Sequence, residues 1–227
     1  TDHIEKLLKR FIVDKEHRKY RKEPYDPYEQ AAGYSDEGLS DIQRAVRRLK
    51  YVLENEKPVV YHDEKIAMIR TVTTVPEIFT REEWDQIRKN HYIHEQGKVC
   101  NISPEYALLL NVGFNEKRKE IQDRLSAGSS PEENEFLGSL LETLDIIEAF
   151  AQRYRIEAER AGNHEVARIF ERIPANKPES FHEALQFLRL IHYCLWCSFN
   201  YHNTFGRFDQ YMYPYYINDI KEGRLTR

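Results

Sequence analysis

Residues 180–199 read SFHEALQFLRLIHYCLWCSF, and this stretch decides the fold. Ser180 and Glu183 form a capping box, in which each side chain accepts a hydrogen bond from the other residue's backbone amide at the start of a helix. Apolar residues then surround the predicted helix on nearly every side, which is typical of a buried helix. We therefore expect a central helix from residue 181, either enclosed by other helices or covered by protein outside this chain.

Further helices are predicted on both sides of the central one. Apolar residues at three- and four-residue intervals predict amphipathic helices over 39–55 and 131–161. Asn163 is placed to cap another short helix that ends near residue 173. Three more start signals, each a Ser or Thr followed by Glu three residues later or by Pro at the first helical position, predict helices that begin near residues 81, 104 and 131.

Residues 58–73, PVVYHDEKIAMIRTVT, break the helical pattern. Two β-branched runs flank the turn-like His62-Asp63-Glu64, which predicts a β-hairpin. The fold class is therefore mainly α with one small β-hairpin. We expect a single domain over 1–227, made of a helical lead-in (1–56), the hairpin (57–73) and a helical region (80–227).

Composition excludes several functional classes. The 227 residues carry a formal charge of −4, and no apolar run approaches the roughly 20 residues of a membrane-spanning helix. Apart from 15–22 (KEHRKYRK) there is no basic block, which argues against nucleic-acid binding. Cys100, Cys194 and Cys197 are too few for a disulfide framework. The few cysteines and the lack of a segment that resembles a secretory signal predict a cytoplasmic protein. The charge and the short apolar runs predict neither a nucleic-acid nor a membrane partner.

Two clusters invite a metal interpretation. Cys194 and Cys197 lie near His192 and His202, but a second ligand pair is lacking, so core packing is favoured over zinc or redox chemistry. The run 91–95 (HYIHE) has the residue types of a metalloprotease motif in the wrong order, which favours a loop with hydrogen-bonding histidines. We therefore predict no metal site.

Residues 201–210, YHNTFGRFDQ, are the densest polar cluster and directly follow the buried helix. Polar groups delivered into an apolar interior must be hydrogen-bonded, so the cluster is either a structural network or a binding site. In the structural interpretation, Arg207 and Asp209 form a charge pair that ties the helix end to the next element. The residues alone leave both interpretations open.

The pattern over 174–227 resembles glycyl radical enzymes of the pyruvate formate-lyase type. Its most specific parts are 206–211 (GRFDQY) and 214–216 (PYY). Two upstream pieces agree with them, namely 57–60 (KPVV) and 100–106 (CNISPEY). The resemblance touches most of the chain from about residue 50 onward.

The resemblance implies a large anaerobic enzyme in which a backbone glycyl radical passes to a cysteine thiyl. The thiyl abstracts hydrogen from a small polar substrate inside an α/β barrel, and a radical SAM activating enzyme installs the radical. Members include formate acetyltransferases, dehydratases, decarboxylases and lyases. Their Gly-Cys and Arg-Val-x-Gly-Tyr motifs do not occur here. The chain thus resembles the N-terminal, mainly helical part of such an enzyme. The resemblance implies that this part contains no catalytic residue, binds no cofactor and is inert by itself.

The resemblance also assigns roles residue by residue. His202, Asn203 and Asn101 become the candidates for substrate contact, while Gly206, Arg207 and Asp209 become structural residues. The implied partners are the remainder of the enzyme or a second chain that carries it, the activating enzyme, and further copies in a homo-oligomer. The alternative is a stand-alone helical interaction module or a truncated pseudoenzyme.

A consequence for solution behaviour follows from the central helix. If the missing barrel covers Phe187, Trp196 and Phe199, the isolated chain exposes apolar patches and self-associates.

Overall fold

A computed structural model describes residues 2–92, 101–199 and 202–226 and shows a mainly helical chain. The first helix, α1, spans Asp2–Leu8, and a π-helical turn (Lys9–Val13) and a 3₁₀ turn (Glu16–Tyr20) follow it. The remaining elements, in chain order, are α2 (Ala31–Asp36), α3 (Asp41–Asn55), α4 (Arg81–Lys89), β1 (Asn101–Ile102), α5 (Tyr106–Ser126), α6 (Pro131–Arg160), α7 (His164–Arg172), α8 (Phe181–Cys197), β2 (His202–Asn203) and α9 (Phe208–Lys221).

The helix starts follow the capping signals of the sequence. Thr80 and Ser130 each form a two-way capping box, as predicted, and so does Ser40 at the start of α3. The Ser180 hydroxyl accepts from the backbone amide of Glu183, whereas the Glu183 carboxylate accepts from Glu179 at 2.6 Å. The predicted helix starts near residues 81, 131 and 181 are therefore confirmed.

Helix α5 differs from the prediction at its start. It begins at Tyr106 rather than near residue 104, and its N-cap residue makes no side-chain capping bond. The reason is that Asn101 and Ile102 are held extended by pairing with β2, and the Thr204 amide donates to the Ile102 carbonyl at 3.1 Å. The helix also bends at Gly113, whose φ is 77°.

Helix α8 packs against α3, α5 and α9 and against the 57–79 segment, so it is enclosed in part, with Leu185, Ile191 and Leu195 half-buried. Phe187 is fully buried and packs edge-on against Phe114, with ring centroids 5.8 Å apart. The expectation that protein outside the chain covers Phe187 is therefore wrong. Trp196 and Phe199 are half-buried. No helix within the described ranges is long and apolar enough to cross a membrane.

The predicted β-hairpin over 57–73 is wrong. Residues 57–79 contain no strand, although much of this segment is buried in the hydrophobic core. Buried backbone groups need partners, and here side chains provide them. The carboxylate of Glu56, fully buried at the end of α3, accepts from the amides of both Thr71 and Val72.

Side chains of two other helices complete the same arrangement. From α8, Gln186 accepts from the Ala67 amide at 2.8 Å and Arg189 donates to the Met68 carbonyl at 2.6 Å. Asn163, at the start of α7, donates to the carbonyls of Tyr61 and Glu64. Because these side chains satisfy backbone groups between residues 61 and 72, this part of the chain is buried without a second strand.

Candidate functional site

Strands β1 and β2 bring the three predicted substrate residues together. The strands run parallel, with Asn101 paired to His202 and Ile102 paired to Asn203. A hundred residues separate the two strands in the chain, so the juxtaposition arises from tertiary structure alone. His202 is exposed and Asn203 is half-buried.

A close approach between two loops continues this pairing. Gly206 has a φ of 57°, and a Cβ atom at its position would lie 2.9 Å from the Ser103 hydroxyl oxygen. A side chain at residue 206 would therefore have to displace the Ser103 hydroxyl and adopt a positive φ, which favours glycine. The position suits the structural role that the resemblance assigns to Gly206.

Behind the loops lies a polar pair within an aromatic cluster. The Tyr106 hydroxyl is 3.0 Å from His192 Nδ1, and the Phe205 ring lies 4.7 Å from the imidazole. The Tyr211 hydroxyl donates to the Phe205 carbonyl at 2.7 Å, which ties the backbone of residue 205 to α9. Burial lowers the pKa of His192 and raises the pKa of Tyr106 to about 12, so both groups are neutral at pH 7.

Sequence reasoning did not assign Tyr106 or His192 to this site. Tyr106 belongs to the motif at 100–106, and His192 lies near Cys194 and Cys197 in the chain, but neither pattern predicts that the two side chains meet. A histidine inside an otherwise apolar helix is a usable signal, because a buried polar group requires a partner.

Arg207 and Asp209 form the predicted charge pair, but at the surface. Two hydrogen bonds of 3.0 and 2.8 Å join the guanidinium to the carboxylate, and both side chains are 68% exposed. The bonds from Arg207 lower the pKa of Asp209. The pair lies at the start of α9 and not in the interior, so it closes a local turn.

A cavity of about 310 Å³ lies between the two loops, at the lower end of the range for small-molecule sites. Ser103, Glu105 and Tyr106 line it from one side, and Arg207 and Tyr211 line it from the other. Ser103, Glu105 and Arg207 are polar residues on the border of this space, which can hold a small molecule, whereas the predicted substrate residues His202 and Asn203 do not line it.

The cysteines of α8 pack in the core, as the sequence favours. Cys194 and Cys197 are free and buried, and burial raises the pKa of both thiols. Within the described ranges no group of three or more His, Cys, Asp or Glu side chains could hold a metal ion. His94 and Cys100 lie outside the described residues.

Solved structures with the same fold are glycyl radical enzymes and dehydratases. One is a structure solved for 1,2-propanediol dehydration in Roseburia inulinivorans, with a TM-score of 0.73 and 20% sequence identity. The match covers all of this chain and 37% of the solved chain. The B12-independent glycerol dehydratase of Clostridium butyricum matches 83% of this chain and 34% of its own, with a TM-score of 0.67 and 22% identity. The fold is that of the N-terminal part of glycyl radical enzymes.

Curated proteins and a family model agree with the structures. The chain is 28% identical over 140 residues to trans-4-hydroxy-L-proline dehydratase of Clostridioides difficile, and 29% identical over 146 residues to isethionate sulfite-lyase of Bilophila wadsworthia. These matches cover 51% and 54% of this chain but 17% of each relative. The model "Pyruvate formate lyase-like" matches residues 74–227, more than half of the chain. The chain therefore belongs to the pyruvate formate-lyase-like family.

Proposed function

We propose that this chain forms part of the substrate-binding wall of a glycyl radical dehydratase or lyase that acts on a small hydroxylated molecule. The pairing of β1 with β2 carries the proposal, because it places Asn101 beside His202 and Asn203. The matched proteins support the substrate class, since hydroxyproline, propanediol, glycerol and isethionate all carry a hydroxyl group. A dehydratase or lyase fits these relatives better than a formate acetyltransferase does.

The side chains suit this substrate class. An imidazole and an amide can each donate to and accept from a hydroxyl group, so His202, Asn203 and Asn101 can orient a polyol or hydroxy acid. Gly206, Arg207 and Asp209 hold the loop after β2 in place. Radical chemistry needs a site closed to water, which we assign to the enzyme's barrel around this wall.

The radical residues themselves are proposed to lie outside this sequence. Cys194 and Cys197 are buried in the core, where burial raises the pKa of both thiols and disfavours the reactive thiolate. We assign the thiyl cysteine and the glycyl radical to the remainder of the enzyme or a second chain. A radical SAM enzyme would install the radical in a cytoplasmic homo-oligomer, and the chain by itself would be inert.

Electron paramagnetic resonance tests the assignment. The chain is co-expressed with the downstream reading frame and a radical SAM activating enzyme, and spectra are recorded without oxygen. We expect a glycyl doublet that requires both polypeptides. If the DNA encodes no frame with the Gly-Cys and Arg-Val-x-Gly-Tyr motifs, the catalytic proposal fails and the alternative of a truncated pseudoenzyme or interaction module gains support.

Variants of the active assembly test the residues. His202→Ala and Asn203→Ala should each lower kcat/KM about tenfold or more, because a hydrogen bond to the substrate is lost. His62→Ala is the control, since the His62 side chain is 75% exposed and lies beside Asp63 in the 57–79 segment. Equal activity of all three variants, with the doublet intact, would contradict the site assignment.

A further inference from the structure

Helix α8 ends in an unusual backbone conformation shortly before β2. Phe199 follows the C-cap residue Ser198 and has a φ of 70°. The left-handed conformation is common at this position of a helix end, but glycine usually occupies it, because a Cβ atom is unfavourable there. Strand β2, with His202 and Asn203, begins three residues after Phe199. The conformation of Phe199 therefore sets the direction in which the chain leaves α8 toward the candidate site.

The C-terminal end of α8 has no positive charge of its own. A helix C-terminus carries a partial negative charge, and its last carbonyl groups have no partner within the helix. Lysine or arginine in the last turn can meet both needs, but residues 194–197 (CLWC) contain neither. A cation stabilises this helix end only if the fold brings one from another element.

Arg48 of α3 is such a cation, 150 positions away in the chain. The residue is 9% exposed, and its Nη2 donates to the Ser198 carbonyl at 2.9 Å. Its guanidinium carbon also lies 5.6 Å from the centre of the Phe199 ring, within the range of a cation–π contact. One buried side chain thus holds both the carbonyl of the cap residue and the ring of the left-handed residue that follows it.

We infer that Arg48 is a positioning residue for the candidate site, a role that rests on the proposed function of that site. Its two contacts keep Phe199 in the left-handed conformation and so direct β2 alongside β1. The Thr204 amide, directly after β2, donates to the Ile102 carbonyl at 3.1 Å and reports this placement. Arg48 acts through the backbone at the end of α8 and needs no contact with the substrate.

Amide exchange of the full chain, measured by NMR, tests this role without any enzymatic activity. Arg48→Met should speed exchange of the Thr204 amide about tenfold relative to the amides of α6, because a charge-assisted hydrogen bond is lost. Arg47→Met is the matched control, since Arg47 is exposed one position earlier on α3, and it should leave exchange unchanged. Equal acceleration at Thr204 and in α6 would show general destabilisation and overturn the inference. Equal effects of the two variants would do the same.

Substitution of Phe199 tests the coupling between the two residues. Glycine adopts a φ of 70° freely. In a Phe199→Gly background, Arg48→Met should therefore speed Thr204 exchange only about threefold or less. Arg48→Lys keeps the charge but lacks the planar guanidinium, so it should speed exchange about threefold, and it decides the matter if Arg48→Met does not fold. Equal effects of Arg48→Met in both backgrounds would overturn the coupling to Phe199.

Kinetics of the active assembly connect this placement to the substrate. Arg48→Met should lower kcat/KM about tenfold with the glycyl doublet unchanged, because the substrate residues of β2 are displaced. Faster Thr204 exchange with an unchanged kcat/KM would overturn the positioning role. An unmodified assembly without a glycyl radical would refute the proposed function instead, and Thr204 exchange would still decide whether Arg48 places β2.

Discussion

Glu64 carries a carboxyl group that the fold keeps from water. The residue is 7% exposed, and its carboxylate accepts from the Tyr61 amide at 3.2 Å. Burial raises the pKa of this carboxyl to about 7, from an ordinary value of 4.5. Between these values the folded chain holds a proton that the unfolded chain releases. The contribution of Glu64 to the free energy of unfolding therefore falls as pH rises from about 4.5 to about 7.

Glu64→Gln should remove this pH dependence. The glutamine oxygen can still accept from the Tyr61 amide. As pH rises through this range, the free energy of unfolding of the variant should therefore increase relative to that of the unmodified chain by up to about 3 kcal/mol. Urea unfolding at pH 5 and pH 7.5 measures it, and taking the difference cancels the other titrating groups. A constant difference across this range would contradict the burial of an acid at residue 64.

Among the described glycines, Gly113 lies closest to the backbone of another segment. A Cβ atom there would lie 2.5 Å from the Asn176 carbonyl carbon and 2.6 Å from the Lys177 nitrogen. We expect Gly113→Ala to lower the free energy of unfolding by about 2–4 kcal/mol, through this overlap and the positive φ. Gly138→Ala, inside α6 with open space at its Cβ position, should instead stabilise by about 0.5–1 kcal/mol. Thermal unfolding of the pair distinguishes steric conflict from a general effect of alanine.

At the scale of elements, helix side chains supply hydrogen-bond partners to the backbone of the 57–79 segment, and residues 22–27 supply others. The Glu56 carboxylate uses both oxygens to accept from Thr71 and Val72. Glu56→Gln replaces one acceptor with an amide donor that faces a backbone donor, and it should cost about 2–3 kcal/mol. Glu54→Gln is the matched control, because Glu54 is exposed one position before Asn55 on the same helix. Equal stability of both variants in urea would show that Glu56 does not hold the segment.

At the scale of the whole molecule, the irregular segment and the helices share one core. Met68 and Val72 lie in the same buried cluster as Phe150 and Tyr154 of α6. Regions that share a core unfold together, and hydrogen exchange reports the free energy of that opening. We expect the Ala67 and Val72 amides to exchange with opening free energies within about 1 kcal/mol of those in α6. Exchange of these amides in minutes, with α6 still protected, would show a separable segment.

The helices and their starts could be predicted from the sequence because their determinants are local. A capping box lies within four residues, and an amphipathic stripe repeats within one helix, so Thr80, Ser130 and Asn163 marked boundaries that the structure confirms. The family could also be predicted, because its motif at 206–216 is a continuous run. The buried state of Cys194 and Cys197 followed from the apolar helix around them.

Tertiary structure decided the features whose partners are distant in the chain. Residues 58–73 have the composition of a hairpin, but Glu56, Asn163 and Gln186 satisfy their backbone in place of a second strand. The Tyr106–His192 pair and the two-strand pairing likewise join residues 86 and about 100 positions apart. Periodicity and capping carry no information on such contacts. The sequence by itself thus determined the helices and the family, whereas the packing of those helices decided what the 57–79 segment becomes and where the candidate site residues meet.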